Sequence, residues 1–265
     1  MELVNKKPTI HCITNIITVN DCANVLHAIG AAPVMAHHPC EVAQVAQSAS
    51  ALVLNLGATE DFEAMKIAME AADKTNKPIV IDPVGAGGID FRRQMFWELI
   101  DIAAPTCIRG NMSEIKAIFY DSNTTIGVDA NSSEEISYDI YDEKLNEEEL
   151  SDEEIVMQLA KMIGCIVVAS GRTDIISDGV KCAYVEAGTP MLTHITGAGC
   201  MSSAMIGGYL GKLSAEDDAF EAVRQACECM GKCGEKAAGR TMVEGAGIMT
   251  FHTYLLDEIS LKYIF

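Results

Sequence analysis

Short apolar runs rich in Ile, Val and Leu alternate along the chain with longer segments of helical periodicity. The runs at 9–14, 51–55, 78–82, 106–109 and 165–170 contain few polar residues, the pattern of strands buried on both faces. Between them, segments 20–29, 41–47, 60–74, 91–103, 113–120 and 152–162 space their apolar residues as amphipathic helices do. This alternation predicts an α/β fold, a parallel sheet with right-handed crossovers and helices on both faces. Two further runs, 174–177 and 182–185, flank Asp178-Gly179, a hairpin signal that adds antiparallel strands at the end of the sheet. After Gly199 the pattern becomes helical, over 201–213, 216–238 and 246–259, with Ser214 the expected N-cap of the middle helix.

A chain of 265 residues can bury a large core, and 49% hydrophobic with 22% charged residues excludes a disordered chain. No Pro-, Gly- and Ser-rich stretch divides it and no internal repeat appears, so one domain over 1–265 is expected. Its 38 acidic and 19 basic residues leave a net charge of −19, which argues against a nucleic-acid surface or a basic membrane patch. Anionic substrates stay allowed, because backbone dipoles bind phosphate inside acidic proteins. No run of about 18 apolar residues exists, so no membrane span is expected. The first residues lack a signal-peptide pattern, and the ten cysteines sit in apolar or helix-like stretches as free thiols do. A cytoplasmic setting is the expectation. Residues 129–154 are dense in Asp and Glu and read as a solvated loop or insertion.

Neither GxxxxGK[ST] nor a GxGxxG following a strand is present, so the P-loop and the dinucleotide fingerprint are excluded. Three other clusters carry candidate chemistry. In His194-Ile-Thr-Gly-Ala-Gly-Cys200, Gly197 and Gly199 precede a helix of small residues. The opening amides of that helix form an anion hole for phosphate or an oxyanion, unless the glycines serve only a tight turn. Cys200, in the first helical turn, is expected to have a lowered thiol pKa and to act as nucleophile, weak base or packing. In Arg109-Gly-Asn-Met-Ser-Glu114, Asn111 and Glu114 could hold a magnesium–water cluster or form a plain helix cap, and Arg109 could bind phosphate. Asp82 opens the loop Asp82-Pro-Val-Gly-Ala-Gly87 at a strand's C-terminal end, where parallel sheets place ligands. Together these point toward phosphoryl transfer. Cys227, Cys229 and Cys233 on one helix read as core, and His37-His-Pro-Cys40 as a surface loop.

Asn111-x-x-Glu114 with Gly197-Ala-Gly-Cys200 resembles the ribokinase-like superfamily, and Cys in place of its usual Asp resembles hydroxyethylthiazole kinases. Ile13-Thr-Asn15, Cys22-Ala-Asn24, Gly30-Ala-Ala-Pro-Val-Met35, Leu54-Asn-Leu-Gly57, Asp82-Pro-Val-Gly85 and Arg109-Gly-Asn111 agree in order and spacing. The resemblance implies a three-layer αβα fold and phosphorylation of 4-methyl-5-(2-hydroxyethyl)thiazole with ATP and Mg2+ in thiamine salvage. It places Met35, Gly197 and Asn15 on the substrate side, with Cys200 as the active-site cysteine. Arg109, Ser170, Gly199 and Asn111 fall on the ATP side, with Asp82 and Glu114 near the phosphates and the metal. It also implies a homotrimer with sites between subunits. Ser170 replaces the usual Thr but keeps the hydroxyl, Ala198 fills a slot that is often Thr, and Gly57-Ala-Thr59 departs from the usual Gly-Thr pair. The rival readings are a kinase for a pyrimidine or sugar alcohol, a non-catalytic thiazole or nucleotide binder, and a Cys-dependent hydrolase.

Overall fold

The computed structural model describes residues 7–126, 150–214 and 216–264, with the side chains of 122–126 and 264 left aside. Most of the acidic segment, 129–149, lies outside the described residues. One eight-stranded sheet organises the rest, in the order β2-β1-β3-β4-β5-β6-β7-β8. The strands are β1 (Thr9–Ile13), β2 (Ala32–Val34), β3 (Ala51–Asn55), β4 (Ile79–Asp82), β5 (Cys107–Asn111), β6 (Ile166–Ser170), β7 (Asp174–Ser177) and β8 (Cys182–Val185). The first six pair in parallel, and β7 and β8 close the far edge antiparallel, as the Asp178-Gly179 signal predicts.

Every residue of β3 and β4 is buried, and their side chains alternate between two apolar cores. Ala51, Val53 and Val80 point to one face, under α1 (Val19–Ala28), α7 (Ala198–Leu210), α8 (Ala219–Val243) and α9 (Ile248–Ile264). Leu52, Leu54, Ile79 and Ile81 point to the other. There they meet α2 (Val42–Ser48), α3 (Phe62–Asp73), α4 (Asp90–Ile100), α5 (Met112–Ile126) and α6 (Asp152–Ile163). The result is a three-layer αβα sandwich. No helix among the described residues is long and apolar enough to cross a membrane.

Three local outcomes differ from the sequence expectation. β2 was not foreseen, being three residues long with Pro33 at its centre; Pro is tolerated because β2 is an edge strand. Ser214 does not cap α8: its N–H and hydroxyl both donate to Asp217, while the Asp218 carboxylate caps the helix through the amides of Phe220 and Glu221. Helix α7 begins at Ala198 rather than 201, after a 3-10 turn at Pro190–His194. The end of the acidic segment is ordinary helix chemistry, since Ser151 and Glu154 form a reciprocal capping box at the start of α6.

Candidate active site

Parallel strands of one sheet end on one side, and the sequence puts polar residues there. Asn15 follows β1, Asn55 ends β3, Asp82 ends β4, Arg109 and Asn111 lie in the last three residues of β5, and Ser170 ends β6. In register, Asn55 faces Asp82 and Asn111 faces Ser170. The opening turn of α7 crosses above this row. Gly197 takes the left-handed conformation (φ +87°) that a side chain would strain, so the chain can turn into the helix at that point. The first amide taken inside the helix is Met201 N–H, which donates to Gly197 O at 2.8 Å. The amides before it, of Ala198, Gly199 and Cys200, have no intrahelical partner.

One half of the site is built around Cys200. Asn55 Nδ2 lies 3.1 Å and Asn15 Nδ2 3.6 Å from its sulfur. Asn55 Nδ2 also donates to Asp82 Oδ2 at 3.0 Å, and Ser203 Oγ donates to the same oxygen at 2.8 Å. Asn15 Oδ1 in turn accepts the amides of Ile17 and Thr18, which fixes the loop after β1. Burial pushes Asp82 up to about 6, against the lowering pull of Arg109 and of the Ser203 hydroxyl. The expected lowering of the Cys200 thiol is reversed. Burial first and the nearby Asp82 charge second raise it, and together they outweigh the lowering hydrogen bonds from Thr18, Asn55 and Asn15. The sulfur's partners are two asparagine amides and the Thr18 hydroxyl, and no histidine is among them, so no His–Cys pair of a hydrolase is assembled around it.

The other half gathers cationic and amide groups. Arg109 Nη2 donates to Ser170 Oγ at 2.8 Å, and that hydroxyl donates to Gly110 O at 3.2 Å. A Cβ on Gly199 would stand 2.6 Å from Arg109 Nη1, so the bare glycine lets the guanidinium rest against the first turn of α7. Asn111 Oδ1 accepts Glu114 N–H at 2.9 Å. Glu114 in turn accepts Asn111 N–H on Oε2 and Gly85 N–H on Oε1, both at 2.8 Å. The pair is thus a helix cap that also ties the loop after β4 to the start of α5. Met35 is half-buried against the apolar core on the α7 side.

Such a row of polar groups at the strand ends, with an open helix terminus beside an Arg, fits phosphoryl transfer. Comparison with known proteins decides the family. The profile of the hydroxyethylthiazole kinase family matches residues 1–263. The chain belongs to the hydroxyethylthiazole kinase family. Hydroxyethylthiazole kinase of Methanobrevibacter smithii is 39% identical over 266 residues, covering 97% of this chain and 88% of that protein. The Clostridium beijerinckii enzyme of the same name is 41% identical, covering 98% and 89%. The solved hydroxyethylthiazole kinase structure from Pyrococcus horikoshii superposes with a TM-score of 0.80 at 29% identity, over 97% of this chain and 89% of that one. A ribokinase-like superfamily protein from Enterococcus faecalis, 12% identical with a TM-score of 0.64, shows the fold alone.

Within this kinase family member, two residues of the network were not singled out from sequence. Asn55 ends an otherwise all-apolar buried strand, and a polar residue at that C-terminal edge is a readable signal. Ser203 lies three residues after Cys200 on a helix, and so on the same face.

Proposed function

We propose that the chain phosphorylates the hydroxyl of 4-methyl-5-(2-hydroxyethyl)thiazole with ATP, a step of thiamine salvage. The observation that carries this reading is the convergence of Cys200, Asp82 and Arg109 at the opening turn of α7, in a chain of this family. The phosphates of ATP would meet the unpaired amides of Ala198, Gly199 and Cys200, with Arg109 steadied by Ser170 adding charge to the transferring group. Asn111, whose Oδ1 caps the first turn of α5 through Glu114 N–H, would lie on the ATP side. Cys200, with Asn15 beside it, would face the alcohol, and Met35 and Gly197 would line the thiazole side. Alignment and electrostatics supply most of the rate in a loose phosphoryl transition state.

Magnesium fits this site as a hydrated ion. Each Glu114 oxygen takes one backbone N–H, leaving a second lone pair for a magnesium-bound water. Asp82 fits less well as a ligand, since it is 1% exposed and its Oδ2 already accepts from Asn55 and Ser203. Among the described residues no three His, Cys, Asp or Glu side chains cluster to cage a metal. Glu114 would hold the ion through its water, and the chemistry supplied there would be positive charge to offset that of the phosphates.

A homotrimer with sites between subunits belongs to the same reading. Ile16 and Ile17, 87% and 70% exposed, sit directly beside Asn15, where a neighbouring subunit would cover them. All ten cysteines are free, which suits a reducing cytoplasm. The test is ADP release over thiazole, pyrimidine and sugar alcohols. Release that depends on hydroxyethylthiazole supports the reading, and release that depends on another alcohol, or on none, overturns it.

A further inference from the structure

Asn55 uses its whole hydrogen-bonding capacity inside the protein. It is 2% exposed, and its Oδ1 accepts Gly57 N–H at 2.9 Å and Asn15 Nδ2 at 3.2 Å. Its Nδ2 donates to Asp82 Oδ2 at 3.0 Å and to Cys200 Sγ at 3.1 Å. An amide carries two donor hydrogens and two acceptor lone pairs, so all four are matched. A flipped amide would set its NH2 against the Gly57 N–H and the Asn15 NH2, and its oxygen against a carboxylate. The orientation is therefore fixed by its neighbours. The consequence falls on Cys200: its sulfur receives N–H groups from Asn55 and Asn15, so the thiol hydrogen is turned away from both, on the side where the Thr18 hydroxyl lies within hydrogen-bond reach.

We propose that Asn55 is a positioning residue that fixes the rotamer of Cys200 and so holds its sulfur at the alcohol side of the site. The inference rests on the proposed placement of Cys200 beside the substrate hydroxyl. Asn55 itself lies under that group, with its amide spent on protein partners. Its contribution runs through the sulfur, and it should appear in turnover rather than in nucleotide binding.

A double-mutant cycle tests this. Asn55→Ala and the near-isosteric Asn55→Asp are made in the natural protein and in Cys200→Ala, each checked for a cooperative thermal melt. kcat and the KM for ATP and for hydroxyethylthiazole are then measured. Expected is a kcat loss of at least about tenfold for Asn55→Ala, with the ATP KM within about threefold of the parent. In the Cys200→Ala background the same substitution should cost less than about threefold, because the pair is coupled. If Asn55→Ala does not give a cooperative melt, Asn55→Asp carries the test, with the same pattern expected. Equal losses in both backgrounds, an unchanged kcat, or a loss confined to the ATP KM would overturn the role of Asn55. A Cys200→Ala variant with full turnover would overturn the placement of Cys200, and the inference with it.

Discussion

The Ser203 hydroxyl donates to Asp82 Oδ2 at 2.8 Å, and each residue is only 1% exposed. A buried carboxylate that loses such a donor is left with an unmet acceptor, which costs about 1–3 kcal/mol. Ser203→Ala should lower the unfolding free energy by that amount in urea titration. An unchanged midpoint would mean that water replaces the hydroxyl.

Asp82 and His11 give stability opposite slopes with pH. Asp82 stands at about 6 in the folded chain against 3.8 unfolded, so the folded state binds the extra proton between those values. Its contribution is complete below pH 3.8 and is lost as pH rises through about 6. That loss is on the order of 3 kcal/mol. Burial lowers His11 below its ordinary 6.5, so its contribution is present above pH 6.5 and is lost as pH falls through the depressed folded value. Asp82→Asn should therefore gain stability relative to the parent between pH 4 and pH 7, measured by urea unfolding. A difference that stays flat with pH would contradict the buried charge.

Cys200 should react as a neutral thiol. With burial and Asp82 raising it above the ordinary 9.0, its alkylation by iodoacetamide should be slow at pH 7 and gain rate only above pH 9. Rapid labelling at neutral pH would point to a thiolate. Cys200→Asp should keep or raise turnover, because the amides of Asn15 and Asn55 already point donors at that position. A loss equal to that of Glu114→Ala, with folding intact, would contradict it.

Glu114→Ala removes the acceptor of two backbone amides as well as the carboxylate proposed to hold magnesium through water. Turnover should fall at least about tenfold, on the order of 1.4 kcal/mol in the barrier. Stability should fall by about 1 kcal/mol, the usual cost of a lost cap. Lost stability with full turnover would leave Glu114 a purely structural cap.

The sheet was legible because β3 and β4 are apolar up to their last residues, as only strands covered on both faces are. The short edge strand β2 was hidden because three residues around Pro33 carry no periodicity. At the site, Arg109 and Ser170 could each be proposed from motif position, but their pairing could not, since they lie 61 residues apart and meet only across β5 and β6. The direction of the Cys200 shift is hidden from the sequence for the same reason. Helix position is written in the sequence, whereas depth of burial and the nearness of Asp82 come from tertiary packing. Asn55 lies in the block Leu54-Asn-Leu-Gly57, but its role is not written there, because its partners Asp82 and Cys200 reach it only when β4 and α7 close over it.

The central claim is that the opening turn of α7 receives the transferring phosphate. A crystal structure with a non-hydrolysable ATP analogue and hydroxyethylthiazole tests it most directly. The account predicts terminal phosphate oxygens about 2.7–3.2 Å from the amides of Ala198, Gly199 or Cys200, with the alcohol beside the Cys200 sulfur. Phosphates bound away from that turn, with these amides facing water or protein carbonyls, would contradict it.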